Sequence, residues 1–243
     1  MPVATNKTVR DYAVELPYAP RIFEQLGIDY CCGGKRPLEE VCAENGIAIA
    51  TVLQQLAKAE VAVREGREAA AKDWSKSSVD ELLSQILDRH HVYIRTEGPR
   101  IQQLFAKVTS KHGENHPELV RAQELFDELV SELMVHLMKE EQILFPYIRR
   151  MEESKVSGES VPPSCFGTVR NPIAMMLSEH DNAGAVLKMI RKETGDLQAP
   201  TDACISYQTL YRDLMAFEAD LHQHIHLENN ILFPHALQME GSR

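Results

Sequence analysis

No run of 18 apolar residues occurs in the sequence, which excludes a membrane-spanning helix and with it a membrane partner. The first twenty residues, MPVATNKTVRDYAVELPYAP, lack the basic-then-apolar build of a secretory signal. Basic residues are the minority: Lys plus Arg is 26 against 36 for Asp plus Glu, a net charge of −10. That balance argues against nucleic acid or an anionic lipid surface as a partner. The five cysteines are odd in number and irregularly spaced, so a disulfide framework is not expected and a reducing cytoplasm is. No segment alternates at period two, so no sheet is expected either. What is present is ordinary for a globular protein, 44% apolar and 26% charged over 243 residues, with one surplus: ten histidines.

The chain divides by its patterning. Residues 1–66 read as short helices broken by Pro17 and Pro20, with Gly27 as a helix stop and another close at Asn45-Gly46. Between two of these helices runs a turn-forming stretch, Asp29-Tyr30-Cys31-Cys32-Gly33-Gly34-Lys35. Residues 67–78 are polar and read as a linker. From 79 to 243 the apolar spacing becomes long and helical: Val79 to Ile94, Leu119 to Met151, Ile173 to Ile190 and Cys204 to Leu237. Pro146 and Pro234 sit near the ends of the second and fourth, where a kink or a stop is expected, and 152–170 reads as a loop. The fold class is therefore all-α, with a small N-terminal helical domain followed by a four-helix bundle.

The bundle repeats itself. His136-Leu-Met-Lys-Glu140-Glu-Gln-Ile-Leu-Phe-Pro146 matches His224-Ile-His-Leu-Glu228-Asn-Asn-Ile-Leu-Phe-Pro234, 88 residues on. His91 precedes His136 by 45 residues, and His180 precedes His224 by 44. Residues i and i+4 share one helix face, so each His-x3-Glu pair offers a nitrogen and an oxygen in one direction. With His91 and His180 the total is four imidazoles and two carboxylates from four helices. That donor set suits iron or manganese, and six ligands suit two metals bridged by the carboxylates. A lone bundle histidine is more often a buried polar residue, and His-x3-Glu is also a common exposed pair; duplication of the whole set favours a site. The adjacent His90 competes with His91, and the repeat offset favours His91. Glu132 and Asp220, each four residues before a ligand histidine, are expected to orient it. His112, His116, His222, His226 and His235 have no repeat partner and read as surface or loop residues. Cys42, Cys165 and Cys204 read as structural.

At these residues the sequence resembles a known family. The His-x3-Glu hairpins look like a hemerythrin-type di-iron domain, and the DYCCGGK segment is similar to the short domain that opens the repair-of-iron-centres (iron–sulfur cluster repair) di-iron proteins. The resemblance spans nearly the whole chain. It implies two non-haem irons with an oxo or hydroxo bridge, held by His91, His136, Glu140, His180, His224 and Glu228, with Glu140 and Glu228 bridging. Ser178-Glu179-His180-Asp181 also fits, which adds Glu179 to the outer residues. The implied function is repair of iron–sulfur clusters damaged by nitric oxide or oxidative stress, with iron supplied from a labile centre and damaged iron–sulfur proteins as clients. The alternatives are a nitric-oxide-reducing or scavenging enzyme, and a sensor of nitric oxide or dioxygen.

Cys31 and Cys32 are assigned from the resemblance to iron transfer or redox exchange. Adjacent Cα atoms are about 3.8 Å apart, short of the usual disulfide range, so a bond between them is strained. Lys35 and Arg36 nearby are expected to favour thiolates. The N-terminal domain also leaves room for a homodimer.

Overall fold

A computed structural model describes residues 7–65, 71–158, 161 and 163–241. The chain packs as two compact units: Met1–Ser78 with Ile225–His235, and Val79–His224 with Ala236–Arg243. Among the described residues there is no strand, only one isolated bridge between Thr8 and Pro37.

The first unit contains α1 (Val9–Glu15), α2 (Ala19–Gln25), α3 (Leu38–Glu44) and α4 (Ile49–Arg64). Thr8 starts α1 with a reciprocal cap: its hydroxyl accepts from the Asp11 amide at 3.1 Å, and the Asp11 carboxylate accepts from the Thr8 amide at 2.9 Å. Gly27 and Gly46 close α2 and α3 at φ of 65° and 67°, a left-handed conformation that a Cβ disfavours. Val9, Phe23, Leu38, Cys42 and Val52 form the centre of the core. Of the expected 67–78 linker, residues 67–70 lie outside the described ones. Asp73 then caps a short turn, Trp74–Lys76.

The second unit is built on four long helical runs. The first is α5 (Val79–Gln85) and α6 (Val92–His112); the second is α7 (Glu118–Lys139) and α8 (Phe145–Ser157). The third is α9 (Arg170–Glu193), unbroken. The fourth is α10 (Ile205–Leu227) and α11 (Phe233–Gly241), of which Ile225–His235 packs with the first unit. Helix α7 packs against both α6 and α9. Gly98 on α6 permits the close approach: a Cβ there would meet Val130 Cγ1 of α7 at 3.1 Å.

Three of the four runs carry a wide π-type turn, at Ile86–His91, Glu140–Leu144 and Glu228–Leu232. Such turns insert a residue into a helix and re-aim the side chains around it. They also change the expectation for the prolines. Pro146 and Pro234 neither stop nor end their helices, because each follows a π turn and falls in the first turn of the next segment, where no N–H is required. The helix therefore runs on to Ser157, into the expected 152–170 loop, and ends at Gly158 with φ 75°. No helix among the described residues is long and apolar enough to cross a membrane.

Candidate metal centre

The π turns fall on the repeated residues. His91 ends the first of them, and Glu140 and Glu228 begin the other two. His136 and His224 lie one turn earlier on α7 and α10, and His180 sits mid-way along α9. All six are buried: His91, Glu140, His224 and Glu228 are 0% exposed, His180 1% and His136 3%.

Their ligand atoms converge. His91 Nε2 is 3.2 Å from His224 Nε2, and His136 Nε2 is 3.0 Å from His180 Nε2. Glu140 Oε2 lies between the pairs, 3.4 Å from both His91 Nε2 and His136 Nε2. The ligand atoms of His91, Glu140, His224 and Glu228 lie within 4.8 Å of one another, and so do those of His136, Glu140, His180 and Glu228. Two overlapping four-residue groups thus share both carboxylates. Two fully buried carboxylates set against four imidazoles are an expensive arrangement for a protein to keep by itself, and coordination of a cation is the ordinary solution. The donor set fits a pair of metal ions.

The outer nitrogens fix the histidines. His91 Nδ1 is 2.7 Å from Glu141 Oε1, and Arg95 donates to the same carboxylate at 2.6 and 3.0 Å. His136 Nδ1 is 2.7 Å from Glu179 Oε2, whose other oxygen takes the Lys139 ammonium. An Nδ1–H donated to a carboxylate leaves the Nε2 lone pair facing inward, the tautomer that a metal needs. Burial pushes the Glu141 carboxyl up, but the bonds from Arg95 and His91 outweigh it and hold the group below its ordinary range. Glu179 is held down in the same way by Lys139 and His136 against burial. A cleft of about 590 Å³, with Glu132, Lys139, Glu179 and Asn182 in its walls, opens on His136 and His180.

His91, the residue the repeat offset favours, joins the cluster and His90 does not. His90 is buried, its Nδ1 3.0 Å from Asp220 Oδ2 and its ring stacked on His224 at 5.7 Å. Asp220 therefore pairs with His90, and Glu132 accepts from Asn182 Nδ2 at 2.9 Å. The acceptors seen on His91 and His136 come from a neighbouring helix, because an Nδ1 opposite an inward Nε2 points across the helix interface. Glu141 and Arg95 were missed. Arg95, one turn after His91 on the same face, was the available signal. His226, expected at the surface, is buried in α10, and burial together with Arg10 lowers its pKa to about 4.

The vicinal cysteines belong to the first unit. Both are free thiols with Sγ atoms 3.7 Å apart; Cys31 is buried and Cys32 half-buried. Asp29 Oδ1 accepts from the Cys32 and Gly33 amides at 3.0 Å each, and Asp29, Cys31 and Cys32 form a third group with metal-ligand spacing. The loop is fastened to the helical stretch 225–235: Asn229 Nδ2 donates to Cys31 O at 3.3 Å and Asn230 Nδ2 to Tyr30 O at 3.0 Å. The expected thiolate character is not found at Cys31. The hydrogen bond with Cys32, burial and the Asp29 charge push its thiol well up. Arg36 is turned away, paired with Glu44.

Comparison with known proteins agrees with this geometry. The Hemerythrin HHE cation binding domain matches residues 82–236, and ScdA_N, a domain of unknown function, matches residues 5–60. The chain is 34% identical to the iron-sulfur cluster repair protein YtfE of Yersinia pseudotuberculosis, covering 97% of this chain and 98% of the relative. It is 34% identical to the protein of that name from Edwardsiella ictaluri, over 96% and 97%, and 32% identical to that from Escherichia coli O157:H7, over 97% and 98%. Matched from end to end by these relatives and carrying the buried His and Glu residues of a cation-binding bundle, the chain belongs to the hemerythrin-domain iron–sulfur cluster repair family.

Proposed function

We propose that this protein repairs iron–sulfur clusters damaged by nitric oxide or oxidative stress, with damaged iron–sulfur proteins as its clients and iron as its cargo. The observation that carries the reading is the pair of overlapping ligand groups, both built on Glu140 and Glu228. The name shared by the relatives supports it.

In this reading His91, His136, His180, His224, Glu140 and Glu228 would hold two iron ions, with both carboxylates common to the two ligand groups. Bound iron supplies redox chemistry and open positions for small ligands. The chain supplies the rest. Glu141 and Glu179, each 2.7 Å from Nδ1 of His91 and His136, would accept the Nδ1 protons and leave the Nε2 lone pairs for a metal. Protonation of an imidazole withdraws its lone pair, so acidification favours release of the cargo. Asp29, Cys31 and Cys32 are the reading's exchange point, a partly buried sulfur and oxygen set on one loop. The Cys31 thiol is pushed well up, so capture of iron by its sulfur would release a proton.

The test is transfer. Iron-loaded protein incubated anaerobically with a peroxide-damaged [4Fe–4S] dehydratase is expected to restore its activity, and the Cys31→Ala/Cys32→Ala variant to do so more slowly. No restoration beyond that given by free ferrous iron would refute repair by iron supply. The cleft that opens on His136 and His180 favours a second reading, binding or reduction of nitric oxide. That reading requires repeated turnovers of nitrous oxide with an electron donor; a single stoichiometric burst would reject it.

A further inference from the structure

A second cluster of reactive side chains lies in the bundle unit, built from residues outside the metal centre. Cys204 immediately precedes α10, and His112 ends α6. His112 Nε2 is 3.1 Å from Cys204 Sγ. The His112 ring rests 5.5 Å from the ring of Tyr207, which is fully buried and so forms a rigid floor. On the same floor, also at 5.5 Å, stands His116, which bonds Asp202 at 3.1 Å and Glu118 at 3.0 Å. The sulfur and the imidazole are both half-buried and open to small solutes.

This thiol differs from the protein's two buried ones. Burial pushes Cys42 up, and Cys32, burial and Asp29 push Cys31 up. Cys204 is pulled down: the Tyr207 amide at the start of α10 bonds the sulfur, and the Ser206 amide and the Lys111 charge add to it against a burial cost. Amides of a helix start stabilise an anion, and a neighbouring imidazole can accept the thiol proton.

We propose that Cys204, with the His112 imidazole at its sulfur, is oxidised by hydrogen peroxide to a sulfenic acid, a modification site separate from the metal centre. The Cys204 thiol gives its proton to His112 Nε2 as the sulfur attacks one peroxide oxygen; the S–O bond forms and the O–O bond breaks. Sulfur is oxidised by two electrons and the peroxide is reduced. The leaving hydroxide takes the Nε2 proton of His112 and departs as water, leaving neutral imidazole and Cys204 sulfenic acid. The proposal does not rest on iron transfer, so either can fail without the other.

The experiment compares cysteines within one protein. Full-length, metal-loaded protein is treated with iodoacetamide across a range of pH, and separately with hydrogen peroxide plus dimedone, and adducts are mapped by mass spectrometry. The exposed Cys165 is the internal reference. Cys204 is expected to alkylate at least about threefold faster than Cys165 at neutral pH, and to carry the earlier dimedone adduct. In His112→Gln both rates at Cys204 fall towards those of Cys165, and iron content is unchanged in Cys204→Ser. Equal rates at Cys204 and Cys165 in the wild type would overturn the proposal, whatever the folding of the variants. Unchanged Cys204 rates in a folded His112→Gln protein would overturn the part given to the imidazole.

Discussion

The metal centre and the vicinal-cysteine loop are both clusters of ligand-type side chains, and they solve burial in opposite ways. At the metal centre two carboxylates, Glu140 and Glu228, are completely buried, and two of the imidazoles beside them, His91 and His136, set Nδ1 against an outer carboxylate. Such a site is charged for a cation. At the loop the buried Cys31 is kept neutral by Cys32, burial and Asp29. The first site is poised to hold a metal at neutral pH; the second binds one only after losing protons.

The comparison breaks most severely if the carboxylates do not matter. Glu140→Ala/Glu228→Ala is expected to lose essentially all bundle iron, measured by metal analysis, while alkylation of Cys31 and Cys32 is unchanged. Next come the outer carboxylates. Glu141→Gln and Glu179→Gln should each weaken metal affinity by about 10–100-fold in competition with a chelator, because the histidine loses its anionic anchor and keeps its place. Equal affinity in these variants would mean that Glu141 and Glu179 serve only Arg95 and Lys139.

Acid sharpens the contrast in the first unit. His226 has a folded pKa near 4, against about 6.5 for a free imidazole, so the unfolded chain binds the extra proton first as pH falls. Its contribution is complete above about pH 6.5 and is lost between there and pH 4, at most about 3 kcal/mol. Metal-free protein should show this loss in chemical denaturation, and His226→Gln should flatten it. The smallest expected effect is at the loop. Cys31 alkylation should rise only at pH above that for an ordinary thiol, and a neutral-pH rate equal to that of free cysteine would contradict a neutral Cys31.

Much of the metal centre is legible in the sequence, because His136, Glu140, His224 and Glu228 sit on helices, where spacing reports a shared face. The four-helix reading follows from the same periodicity. The π turns are not legible. Ile86–His91 carries no signal that distinguishes it from ordinary helix, and the prolines after the other two read as breaks. The outer residues are only half legible. Glu179 adjoins a ligand, but Asp220 serves His90, and Glu141 reaches His91 across a helix interface. Contacts made by distant residues, such as His112 with Cys204, have no periodicity to betray them.

The central claim is a two-metal centre shared by Glu140 and Glu228. Anaerobic iron quantification with Mössbauer spectroscopy on purified protein tests it most directly. The account predicts about two irons per chain with a coupled signature. One uncoupled metal, or none, would contradict it and leave the duplicated histidines as structure alone.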